Sequence, residues 1–160
     1  MDQSVGLIVA LLGLLAVLFG LFASAAALFP RQVWLAQRAA EESPGRSLII
    51  GAVNAIFVVA VALALFSSQL PLLTVLGGLV AAAGLAGLAL GWAGVTTLVG
   101  GRLTRQRNPL SQILTGTVVL TLASAVPFLG WFVVLPGLIF LGLGGFVLGW
   151  FRRRVWSADL

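Results

Sequence analysis

Four carboxylates and nine guanidinium groups are the whole ionisable side-chain inventory of this 160-residue chain, which has no histidine, cysteine, tyrosine or lysine. The carboxylates are Asp2, Glu41, Glu42 and Asp159. Glu41 and Glu42 are successive, so on a helix they point roughly 100° apart and form no facing acid–base pair. A nucleophilic serine would lack both a histidine and a lysine base. Zinc, copper, haem and iron–sulfur clusters have no ordinary ligand set here. Gly100 and Gly101 before Arg102 lack the spacing and the lysine of a phosphate loop. The chain is therefore read as a non-enzyme with no cofactor, no metal and no nucleic-acid partner.

A few polar side chains interrupt the apolar stretches. Thr117, Thr121 and Ser124 fall at i, i+4 and i+7, one face of a helix. Asn54 lies in an earlier apolar run. Functionally these four residues form a polar face that lines a path or meets a lipid head group. Structurally, the hydroxyls bond the carbonyl four residues back and Asn54 bridges two helices, worth about 0.6 kcal/mol on average.

The elements that hold these residues follow from composition. Apolar residues make up 61% and charged residues 8%, against about 25% charged in soluble domains, so bilayer is the expected solvent. Proton relays and ion-coupled carriers need ionisable groups inside the membrane, and all four carboxylates lie outside the apolar runs. Five transmembrane helices are predicted: TM1 over 5–29, TM2 over 47–66, TM3 over 72–99, TM4 over 110–126 and TM5 over 132–151. A signal peptide is the rival reading for TM1, but Met1 to Ser4 carries Asp2 and no basic residue. The last apolar stretch, Leu110 to Phe151, would be about 63 Å long as one helix, twice the hydrocarbon thickness. Pro127, Phe128, Leu129, Gly130 and Trp131 supply the break. TM4 is near the lower length limit, which leaves a re-entrant segment as its alternative.

The arginines support that division. With five spans, Arg31, Arg38 and Arg46, then Arg102, Arg105 and Arg107, then Arg152, Arg153 and Arg154 all fall on one side. A single crossing of the last stretch would split them six to three. The positive-inside rule makes the common side cytoplasmic, giving N-terminus out and C-terminus in. Trp34, Trp150 and Trp156 match one interface and Trp131 the other, whereas Trp92 lies about two turns inside TM3. The expected fold is an all-α membrane protein, a compact bundle of about five helices built from an N-terminal helix and two hairpins. An Ala, Gly and Arg bias without lysine suits a GC-rich genome, so the expected location is a bacterial inner membrane.

Between TM1 and TM2, the run RQVWLAQRAAEE is predicted to form a short interfacial helix with Val33, Trp34 and Leu35 towards lipid, ended by Pro44 and Gly45. Arg38 is placed to reach Glu42 at i+4. The arginines and Trp34 are candidate contacts for anionic lipid or a cytoplasmic partner, and the alternative is a connector that sets topology.

Small residues repeat at sevens. TM1 carries Gly6, Gly13, Gly20 and Ala27; TM3 carries Gly77, Gly84 and Gly91 with Gly87 and Gly94; TM5 carries Gly142, Gly145 and Gly149. Such spacing permits close, left-handed helix crossings, so contacts are expected among TM1, TM3 and TM5, or with a second copy or other membrane subunit. LAGLALGW at 85–92 also echoes LGGFVLGW at 143–150, consistent with hairpin duplication or with chance in a low-complexity sequence.

The span from Gly100 to Gly145 combines a glycine and basic loop, Asn108 and Pro109, Gly116, the Pro127 to Trp131 turn and a glycine-rich last helix. In these features the C-terminal half resembles the closing membrane module of uncharacterised bacterial inner-membrane proteins associated with bactofilin-like polymer-forming proteins. This chain carries no soluble polymerising domain, so the resemblance implies a cytoskeletal role only through a partner. The function expected is a non-catalytic scaffold, anchor or accessory subunit of a membrane assembly; the alternative is a small channel or carrier for an uncharged or lipidic solute.

Overall fold

The computed structural model describes residues 3–68, 70–104, 108–126 and 128–156. Its helices are α1 (Gln3–Leu28), α2 (Pro30–Glu42), α3 (Pro44–Ser67), α4 (Pro71–Leu103), α5 (Pro109–Ala125), a π-helical turn (Gly130–Val134) and α6 (Leu135–Trp156). The protein is an all-α membrane bundle, and no strand occurs among the described residues. Prolines begin four of these helices: at the first position the missing N–H would have been unpaired anyway and φ is already helical. Pro44 therefore opens α3 rather than merely closing α2, and the helix starts ahead of the expected Ser47. Asn108 caps α5, its side chain accepting from the Leu110 amide at 3.1 Å. The turn at Pro127 lies outside the described residues. Beside it, Phe128 adopts φ 66°, a left-handed conformation uncommon without glycine.

Four helical segments are long and apolar enough to cross a membrane: Ile8–Leu28, Pro44–Ser67, Pro71–Leu103 and Gly130–Arg152. The 17 residues of α5 reach about 25 Å, just short of a hydrocarbon core of about 30 Å. Large apolar side chains such as Val17, Ile49, Ile56, Phe57, Leu72 and Phe151 point outward, the arrangement of a bundle solvated by lipid tails.

The α2 helix departs from expectation. Val33 and Leu35 are each only 5% exposed, and Ala36, Ala39 and Ala40 are buried with them. They face protein, not lipid. The reason is a seat of small residues: Gly94 of α4 lies against the backbone of Val33 and Gln37, and Gly145 and Gly149 of α6 lie against Ala36 and Leu35. Ser47 at the start of α3 is fully buried, and its hydroxyl donates to the Ala39 carbonyl at 3.2 Å.

Backbone contact also governs α6. Along α3, Ser47 meets Gly144 and Gly51 meets Phe140; along α4, Gly87 meets Phe146 and Gly91 meets Gly142. Numbering runs in opposite senses on both neighbours. Yet α3 and α4 are antiparallel to each other, with Gly77 against Ala62 and Leu65 and Gly84 against Val58. Three helices cannot all be strictly antiparallel to one another, so the three pairings are not all closely aligned. Gly51, Gly91, Gly142 and Gly144 let α6 lie directly on the backbone of both neighbours.

Candidate functional site

At the turn into α6, the Leu135 amide donates to the Gly130 carbonyl, the i→i+5 bond of a π-turn. Pro136 has no amide to continue a regular α ladder, and such bulges re-aim the side chains around them. Leu135 and Leu138 then line a half-open pocket of about 370 Å³ between α1, α4, α5 and α6.

Each wall is one helical face. From α1 come Leu11, Leu14, Leu18 and Phe22; from α4, Trp92 and Thr96; from α5, Thr117, Leu120, Thr121, Ser124 and Ala125. The spacings of three, four and seven are those of a single stripe on each helix. Gly116 fixes where the cavity begins. A methyl there would overlap the Thr96 backbone, and Gly100 sits equally close to Gln112, so α4 and α5 are pressed together along this stretch and the cavity lies beside it.

Trp92 ties the walls together. Its indole N–H donates to the Leu138 carbonyl at 2.9 Å, its edge meets Phe22 at 6.3 Å between ring centroids, and its ring occupies the space above Gly142. The residue that fits no aromatic belt is thus an internal link between α4, α6 and α1.

The hydroxyls on the wall differ in one respect. Thr96 donates to the Ala93 carbonyl at 2.9 Å and Ser124 to the Leu120 carbonyl at 2.8 Å. Thr117 is 1% exposed and its Oγ1 has no hydrogen-bond partner. The expected bond to the carbonyl four residues back is made by Ser124 but not by Thr117 or Thr121. Asn54 stands apart from this cavity, its Nδ2 donating at 2.9 Å to the Ile50 carbonyl of its own helix, not bridging to another.

The glycines of the sequence reading divide into three groups. Gly77, Gly84, Gly87, Gly91 and Gly142 carry contacts among α3, α4 and α6; Gly145 and Gly149 seat α2. Gly6, Gly13 and Gly20 have open space beside them. α1 uses its opposite face: Gly13 and Phe22 are nine residues apart, about 180° around the helix. The expected glycine contacts of the first helix with α4 and α6 are not made; α1 packs instead through leucines and Phe22, chiefly on α4 and α5.

At the arginine end, Glu42 takes Arg38 at 2.7 Å and Arg152 at 4.0 Å, while Glu41 takes Arg102 at 3.8 Å. Arg38 also lies over the Trp34 ring, 5.2 Å from its centroid. The carboxylates of α2 thus link the ends of α4 and α6, through exposed pairs of small individual strength. Arg31 and Arg46 are exposed. Arg105 and Arg107, and the side chains of Arg153 and Arg154, lie outside the described residues.

Sequence reasoning found Thr117, Thr121 and Ser124 but missed the α1 wall, the Trp92 and Thr96 pair and Ser47. The i, i+4 spacing of Trp92 and Thr96 was the available signal for the second of these. No described group of His, Cys, Asp or Glu is placed to hold a metal. No protein family, curated protein or solved structure matches the chain.

Proposed function

We propose that this chain is a non-catalytic membrane protein that holds a neutral lipidic molecule among its helices, as a small carrier or a binding subunit. The observation that supports this reading is the half-open pocket, whose surface is almost wholly apolar and whose lining contains no ionisable side chain. A volume of 370 Å³ lies within the range of about 300–1,000 Å³ typical of small-molecule sites. Protein purified in mild detergent and extracted with organic solvent is expected to release a neutral lipid in stoichiometric amount, and Leu14→Trp, which fills the cavity, to release less. Equal yields from both proteins would sink the reading.

A second reading, a scaffold, anchor or accessory subunit of a larger membrane assembly, is favoured by α1. One face of this helix packs on the bundle while the opposite face presents Gly6, Gly13 and Gly20 with nothing beside them, a surface suited to another helix. The resemblance of the C-terminal half to modules associated with polymer-forming proteins points the same way. With no native cysteine, Gly13→Cys gives a single cross-linking site: a stoichiometric adduct with another membrane protein supports this reading, and its absence in intact membranes removes it. On either reading the arginine end is assigned to the cytoplasm of a bacterial inner membrane by the positive-inside rule.

A further inference from the structure

Helix α5 meets α4 near the arginine end and has little length left beyond the meeting point. Gly100 lies against Gln112 and Gly116 against Thr96, so α5 runs from the arginine end of α4 towards Pro71. From Gly116 to Ala125 a helix rises at most about 14 Å, whereas from Thr96 back to Pro71 α4 runs on for about 37 Å. Tilting α5 away from α4 only reduces its rise. Helix α6 gives the same result from the other limb: Gly144 lies against Ser47, at the start of α3. From that level Gly130 stands at most about 21 Å away, against about 30 Å for α3 from Ser47 to Ser67. The turn adds little, because Gly130 packs on the Ser124 carbonyl and its amide donates to the Val126 carbonyl at 2.8 Å. The α5–α6 turn therefore ends about 10–20 Å short of the far ends of α3 and α4.

Beyond that level α4 still faces hydrocarbon. Leu72, Val75 and Leu79 are exposed, and no charged residue lies between Arg46 and Arg102. The polar end of this span is the α3–α4 turn, with Ser67 and Ser68. The α5–α6 turn is built the opposite way: from Val126 to Val134 there is no charged, hydroxyl or amide side chain. Phe128, Leu129, Trp131 and Phe132 are each at least 62% exposed, and Phe128 stacks on Phe132 at 6.4 Å between ring centroids. Backbone groups in hydrocarbon must be satisfied internally. Here the Phe132 amide donates to the Phe128 carbonyl at 2.9 Å and the Leu135 amide to the Gly130 carbonyl. The polar side chains of α5 gather at its other end, in Asn108, Ser111, Gln112 and Thr115.

We infer that α5 and the first turns of α6 form a re-entrant hairpin, which enters from the arginine side, turns inside the bilayer and presents Phe128, Leu129, Trp131 and Phe132 to acyl chains of the opposite leaflet. The partner of this aromatic tip is lipid hydrocarbon, and head groups lie above it. Trp131 accordingly sits below the outer interface that an aromatic belt would give it. Both ends of the hairpin stay with the arginines, so the one-sided charge distribution is kept. This placement does not depend on what the pocket holds.

The chain has no cysteine, so single cysteines report position. Leu129→Cys and Phe132→Cys mark the tip, Ser67→Cys the α3–α4 turn and Arg46→Cys the arginine side, all at exposed residues. Each full-length variant is exposed to a charged, membrane-impermeant maleimide in sealed vesicles of both orientations. Ser67→Cys is expected to react from one face only and Arg46→Cys from the other. The tip cysteines are expected to react from neither face until the membrane is dissolved, because a thiol in hydrocarbon neither meets the reagent nor ionises. A nitroxide on the same tip cysteines is expected to collide more with oxygen than with a water-soluble nickel complex, and at Ser67→Cys the reverse. Reaction of a tip cysteine from the Ser67 face at the rate of Ser67→Cys, or nickel collisions that dominate at the tip, overturns the re-entrant hairpin in favour of two full crossings. Two tip positions keep the test decisive where one variant does not fold.

Discussion

Gly144→Ala is expected to destabilise the bundle by roughly 1–3 kcal/mol, although it adds a single methyl and exchanges a poor helix former for a good one. The added carbon would overlap the Ser47 carbonyl and lie 2.8 Å from the Gly51 nitrogen, whereas such contacts settle at about 3.5–4.0 Å. The helices must part by about 1 Å where their backbones touch, and a gap of that size forfeits a quarter to a half of each contact's well of about 0.1–0.2 kcal/mol. Over on the order of twenty pairs this loses about 0.5–2 kcal/mol, to which residual strain is added. The intrinsic preference of alanine returns at most about 1 kcal/mol. Gly13→Ala supplies the control: the same exchange in the same helical setting, with open space around the new methyl, is expected to be neutral or stabilising by up to about 1 kcal/mol. Reversible unfolding in mixed micelles, followed by circular dichroism and tryptophan emission, measures both. A Gly144→Ala protein within about 0.5 kcal/mol of the parent, or a Gly13→Ala protein destabilised as strongly, would refute the direct backbone contact of α3 and α6.

Trp92→Phe removes the 2.9 Å bond to the Leu138 carbonyl while keeping an aromatic ring, and is expected to cost about 0.5–1.5 kcal/mol in the same unfolding assay. Ser47→Ala deletes the fully buried bond from α3 to the Ala39 carbonyl of α2; a similar loss is expected, with protection of α2 amides falling first in hydrogen exchange. Glu42→Gln breaks two exposed pairs, with Arg38 and Arg152. Its effect is expected to stay below about 1 kcal/mol at low salt and to vanish at 1 M.

Much of the architecture was legible because the membrane imposes length and polarity on each segment. The four long apolar helices and the short α5 follow from counting uncharged residues between arginines and prolines. Likewise the hydroxyl row on α5 follows from its spacing, since residues three and four apart share a face whatever they pack against. Glycine spacing was less informative. A seven-residue period states that a helix offers a smooth face, but Gly13 and Gly91 have the same local signature; one lies open and the other is pressed against Gly142. Helix α2 was misjudged for a related reason, because Val33 and Leu35 suit lipid and protein equally.

Residue order alone makes this protein helical, gives it helices solvated by lipid and groups its cationic ends, because these depend on the transfer of each segment between water and hydrocarbon. Packing in three dimensions set which faces meet: that α6 lies directly on the backbones of α3 and α4, that α2 is packed into the bundle, that α1 turns its leucines inward, and that the Thr117 hydroxyl is buried without a partner. Those outcomes depend on shape matching between helices whose surfaces are almost uniformly apolar, where the free-energy differences come from close backbone approach and single hydrogen bonds.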